Sequence, residues 1–143
     1  MAETTTAKPE KAKGGDYFYA LGRRKSATAR VRLKSGKGTI VVNDKPAEEY
    51  FAGSQALLNE LNKPFTALEQ ENKYEITAHV DGGGHAGQVE AIRLGIAKAI
   101  VQMNEDLKST LKRAGQLSRD PRERERKKFG LKGARKQRQF TKR

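Results

Sequence analysis

The sequence predicts a two-layer α/β (α+β) domain with the order three strands, helix, strand, helix, followed by a long basic C-terminal extension. Three observations predict it. Residues 26–34 and 74–81 alternate polar and apolar with period two, the mark of strands buried on one face. Val89, Ile92, Ile96, Ala99, Ile100 and Met103 recur at three and four residues, the stripe of a helix lying on a sheet. The last 29 of the 143 residues carry 12 of the 30 basic side chains and only 3 of the 17 acidic ones.

The first 15 residues lack an apolar signal core and contain Glu3 and Glu10. They read as a disordered leader, with the folded domain spanning 16–114. "YFYALG" (17–22) is an aromatic strand ending in glycine. In the next strand Ser26, Thr28, Arg30, Arg32 and Lys34 share one face, and Ala27, Ala29, Val31 and Leu33 the other. "SGKG" (35–38) is turn chemistry and "TIVVN" (39–43) a strand, so 27–43 is expected to form a hairpin. Asn43-Asp44-Lys45-Pro46 is a second turn.

Two short helical patches follow in 47–64. In the second, Ser54 is the expected N-cap, Ala56, Leu57, Leu58 and Leu61 face a core, and Pro64 lies just past the end. "TALEQENK" is a polar connection. The fourth strand points Tyr74, Ile76, Ala78 and Val80 inward, and Glu75, Thr77, His79 and Asp81 outward. A glycine-rich turn opens the long helix. Its Gly95 costs about 1 kcal/mol against alanine, which close approach to a strand would explain. "EDLKSTLKRAG" is a further helix stopped by Gly115. The arm is residues 115–143. In it Asp120, Pro121 and Glu123 form a capping sequence for a short helix near 121–129. Beyond Gly130 the chain has no apolar stripe and should order only against a partner.

The net charge of +13 points to a polyanion, either nucleic acid or an anionic membrane surface. It is uneven: residues 1–114 are net +4 and residues 115–143 net +9. There is no cysteine, which excludes disulfides and thiolate chemistry, and two histidines without cysteine argue against zinc. The apolar runs are too short to span a bilayer. Gly82-x-Gly84-x-x-Gly87 matches a dinucleotide fingerprint, but the acidic pair about 20 residues on, Glu105-Asp106, lies between helices, not at a strand end. An anion-binding turn, or a plain tight turn, is the better reading. His79 and His85 have no nucleophile beside them. The acidic pair Glu48-Glu49 reads as a solvated face. Arg23, Arg24, Lys25, Arg30, Arg32 and Lys34 make a cationic sheet surface suited to phosphate.

Three stretches, "GRRKSATARVRLKSGKGTIVVN" (22–43), "GGGHAGQVEAIRLGIAKAI" (82–100) and "LKRAGQLSRDPRERERKKFGLKGARKQRQFTKR" (111–143), resemble the ninth protein family of the small ribosomal subunit in its bacterial form. The resemblance covers residues 17–143. It implies a left-handed crossover in the domain and a cytoplasmic, ribosome-bound protein with no catalysis, cofactor, membrane or small-molecule substrate. Its implied partners are the rRNA and neighbouring proteins of the subunit head, and peptidyl-site tRNA. The rRNA contacts expected are Arg23, Arg24, Lys25, Arg30, Arg32, Gly82, Gly83, Gly84, Arg119, Arg122, Arg126, Lys127, Lys128, Lys132, Arg135, Lys136 and Arg138. Lys142 and Arg143 match the family's terminal residues that touch the tRNA anticodon stem-loop. Thr141 stands where serine is more usual; both offer a hydroxyl. Two other readings are a free nucleic-acid binder with a basic tail, and a small enzyme built on the glycine turn.

Overall fold

The computed structural model describes residues 17–70 and 72–142. The expected leader 1–15 and the terminal Arg143 lie outside the described residues. A five-stranded sheet runs in the order β1-β2-β5-β3-β4. Its strands are β1 (Phe18–Arg24), β2 (Ala27–Ser35), β3 (Ile40–Val42), β4 (Lys45–Pro46) and β5 (Tyr74–Asp81). The helices are α1 (Ala47–Tyr50), α2 (Gln55–Leu68), α3 (His85–Met103) and α4 (Lys108–Arg113), with a 3-10 turn at Glu105–Leu107 before α4.

The alternation at 27–35 and 74–81 holds residue by residue. Ala27, Ala29, Val31 and Leu33 are buried beside Tyr74, Ile76, Ala78 and Val80, while Arg30, Arg32 and Lys34 are exposed. One face of the sheet thus carries the core. α3 packs on β1 and β2, and α2 packs on α3.

Gly22 and Gly95 set the depth of that contact. A Cβ on Gly22 would stand 1.8 Å from the Ala91 carbonyl oxygen, and one on Gly95 would stand 2.5 Å from Val31 Cγ2. The two bare backbones let helix and sheet touch, which is the reason for a glycine in mid-helix.

Four expectations are corrected. The hairpin of 27–43 does not form. β2 instead gives one edge to β1, through a two-residue turn at Lys25-Ser26, and the other to β5 over Thr28–Ser35. A seven- or eight-residue ladder outcompetes anything the three residues of β3 could offer. β3 crosses beyond β5 and pairs with it in parallel. The real second hairpin is β3–β4, where Asn43 and Asp44 both take positive φ, 46° and 64°, as a primed turn requires.

Pro64 does not end α2; it is buried inside it. An interior proline costs about 3 kcal/mol. The last turn brings in Phe65, stacked on Tyr74 at 5.7 Å, and Leu68 at the core's edge. Each large apolar side chain fully buried contributes about 1.5–3 kcal/mol, so the turn is kept. Glu69 then ends the helix in the left-handed conformation. Ala56 faces solvent, not the core.

The fourth correction concerns 121–129. Among the described residues, nothing beyond Arg113 is helix or strand. The capping signal is spent otherwise. Asp120 Oδ1 accepts from the Arg122 backbone N–H at 3.0 Å, and the Arg122 carbonyl, which a helix would need, accepts from Arg24 at 2.6 Å.

A candidate nucleic-acid interface

Among the described residues, no helix or strand covers the sheet face away from the helices. Register sets its rows. Tyr19, Arg32, Thr77 and Val41 lie side by side across four strands, and Leu21, Arg30 and His79 form the next row. Arg30 pairs with Asp81 at 2.9 Å, diagonally across the strands, and both stay exposed. The Arg32 guanidinium lies 5.4 Å from the Tyr17 ring centroid. Arg23 near the end of β1 and Lys25 in the β1–β2 turn are exposed. An exposed ion pair is weak and exchanges readily for a phosphate.

Arg24 does not belong to that face. It has the parity of Ala20 and Gly22, the inward residues of β1, and is 7 % exposed. Its three guanidinium nitrogens are all engaged. Nε donates to Glu90 of α3, one terminal nitrogen to the Arg122 carbonyl at 2.6 Å, and the other pairs with Asp120 at 3.1 Å. The residue is a clamp between sheet, helix and arm, and the expected phosphate contact at Arg24 is corrected to that. Sequence reasoning missed its partners Glu90 and Asp120; the parity with two small buried residues was the available signal.

Hydrogen bonds from the Arg122 side chain and then its backbone hold the Asp120 carboxyl well below the usual carboxylate range, with Arg24 adding to the effect and desolvation opposing it. A depressed folded-state pKa contributes stability above the ordinary value of about 3.9, lost only as pH falls through the lower one. The clamp therefore keeps its charge at physiological pH.

The glycine turn sits beside the β1–β2 turn. Gly82 and Gly83 take φ of 73° and 67°, and a Cβ on Gly82 would meet the Ser26 carbonyl at 2.5 Å. These two are needed for the turn itself. Gly84 is the N-cap of α3, has no side chain to satisfy the first turn, and leaves open space around it. Gln88 braces the turn by donating to the Gly82 carbonyl at 3.1 Å and accepting from the Tyr50 hydroxyl at 3.0 Å. His85 and Ala86 in the first turn of α3 are exposed, and a helix N-terminus favours an anion.

In the arm, Arg119, Arg126, Lys127, Lys132, Arg135, Lys136, Arg138 and Lys142 are exposed, and Lys128 is half-buried. Internal pairing uses few of them. Glu125 takes Lys128 at 2.5 Å and Arg135 at 2.9 Å, and Glu123 takes Arg119 at 3.7 Å. Arg122 spends its charge on Asp120 at 2.7 Å. On the long helix, Arg93 is likewise used internally, against Glu60 of α2. Among the described residues, no three acidic or histidine side chains converge on a metal site, and no helix is long and apolar enough to cross a membrane.

A cationic sheet face and an irregular cationic arm clamped to the same domain are suited to a folded polyanion met through phosphate and shape, as structured RNA is. The family model of ribosomal protein S9/S16 matches residues 22–143. The chain belongs to that family, which is a structural, non-enzymatic one, and as a member it is a structural ribosomal protein that binds rRNA beside other ribosomal proteins. The match takes in all three stretches that carried the resemblance.

Proposed function

We propose that the protein is a constituent of the small ribosomal subunit, seated on rRNA in the subunit head, in the cytoplasm. The observation that carries this reading is the pairing of the open face bearing Arg30 and Arg32 with an arm of 12 basic and 3 acidic residues. Arg23, Lys25, the Gly82–Gly84 turn and the exposed arm cations join them against rRNA. The resemblance supports a left-handed connection from β3 through α2 to β5, and a tip, Lys142 and Arg143, that grips the peptidyl-site tRNA through its phosphates. Phosphate carries no base information, so that grip acts on every tRNA alike.

Sedimentation of a tagged copy from lysate, in high salt and low magnesium, tests the assignment. Retention on small subunits supports it. Release as free protein would move the reading to a loosely associated nucleic-acid binder.

Two substitutions test the surfaces separately. Arg30→Glu with Arg32→Glu should reduce incorporation into subunits in competition with the parent protein, because each change replaces a phosphate partner by a like charge. Equal incorporation would remove the sheet face from the interface. Deleting Lys142 and Arg143 should leave incorporation intact and weaken peptidyl-site tRNA binding and frame maintenance. Unchanged tRNA affinity and frameshifting would remove the tip's role.

A further inference from the structure

We infer that Phe129 and Phe140 are stacking anchors, each taking one unpaired RNA base and together setting the register of the arm. The inference rests on the reading that the arm binds RNA. Phe129 is 96 % exposed and Phe140 89 %; among the described residues the next most exposed large apolar side chain, Tyr19, reaches only 43 %. Neither phenylalanine makes a ring contact among the described residues. The domain has no use for them, yet it buries its other phenylalanines or packs them against the core.

Their surroundings select the occupant. Lys127, Lys128 and Lys132 flank Phe129, Arg138 and Lys142 flank Phe140, and no acidic residue follows Glu125. That field repels a basic protein surface and attracts RNA. Phosphates repeat along a strand, so lysine contacts alone let an arm slide. A base held on a ring does not slide, and base–aromatic stacking is strong. The base must be unpaired, because a paired one already has its faces occupied in the helix. Gly130, at φ 76° with open space about its Cα, turns the chain immediately after Phe129. Eleven positions separate the two rings, which caps their spacing at about 36–40 Å of extended chain, and the bend closed by the Lys132 N–H on the Lys136 carbonyl at 2.8 Å brings them nearer than that.

The test uses the full-length protein with two probes, a short oligo(A) strand and an RNA duplex of equal length, over a series of salt concentrations. Phe129→Ala and Phe140→Ala should each weaken binding to the single strand by about five- to a hundredfold. Duplex affinity and the slope of log K against log salt should not change. Lys127→Ala with Lys128→Ala should lower that slope on both probes. The chain has no tryptophan, so Phe129→Trp supplies a single reporter whose fluorescence the oligo(A) strand should quench. Equal effects on both probes, no loss on the single strand, or no quenching overturns the stacking role while leaving charge-mediated binding in place. An unchanged slope in the double lysine variant instead overturns the arm's phosphate contacts. Both rings lie outside the core, so the variants fold as the parent does.

Discussion

Gly22→Ala should lower the melting temperature by about 10–20 °C, the largest effect expected of any methyl group added to this chain. The reason is what the methyl would meet. It would stand 1.8 Å from the Ala91 carbonyl oxygen and 2.9 Å from the carbonyl carbon, so α3 must lift off β1 along its length. Overpacking a core with a side-chain neighbour costs about 1–3 kcal/mol, and a backbone neighbour that cannot rotate away puts this case at or above the upper end. Gly95→Ala meets the side chain of Val31 and should cost less. The double variant should lose less than the two added together, because one displacement of α3 relieves both contacts. Thermal unfolding followed by circular dichroism measures all three. A Gly22→Ala protein melting with the parent would mean that α3 does not sit this close.

Arg24→Ala should destabilise the domain and loosen the arm, and should not lower the salt dependence of RNA binding. A hydrogen bond to a charged group contributes about 1.5–3 kcal/mol. Glu90 is 34 % exposed and recovers part of this in water, so losing its partner should cost about 1–2 kcal/mol. Release of the Arg122 carbonyl and Asp120 adds a local effect: trypsin should cut at Arg119 and Arg122 sooner than in the parent. Arg24→Lys should not rescue, since one ammonium cannot reach partners that occupy three nitrogens of a planar fork. The opposite pattern, full stability with a shallower salt slope, would return Arg24 to the RNA interface.

The rows of the sheet were legible because period two is local: each residue of β2 and β5 declares its face by its neighbours. The α3 stripe and the need for Gly95 were legible for the same reason. β3 was not. Its partner is decided by a competition for the free edge of β2, and β5, which wins it, lies more than thirty residues downstream. Pro64 misled because a local rule for ending helices was outweighed by the burial of Phe65 and Leu68. Arg24 misled because charge was read without parity. In the arm, Asp120 and Glu123 spell a helix start, but the carbonyl that start depends on is taken by a residue 98 positions away. The charge of the candidate interface is written in the composition; the two exposed rings stand apart from ordinary hydrophobic residues only once it is seen what the core leaves out.

Rooting the arm at Arg24 makes it a tethered second ligand. On the proposed function, once the sheet face has docked, roughly twenty residues of arm search for their own site from a point already fixed in space. Their effective concentration there is on the order of millimolar, set by tether length instead of by the number of protein molecules in the cell. Weak individual contacts along the arm then suffice for near-complete occupancy, and each can let go and rebind without the protein leaving. On that reading the clamp converts affinity at one surface into residence at another.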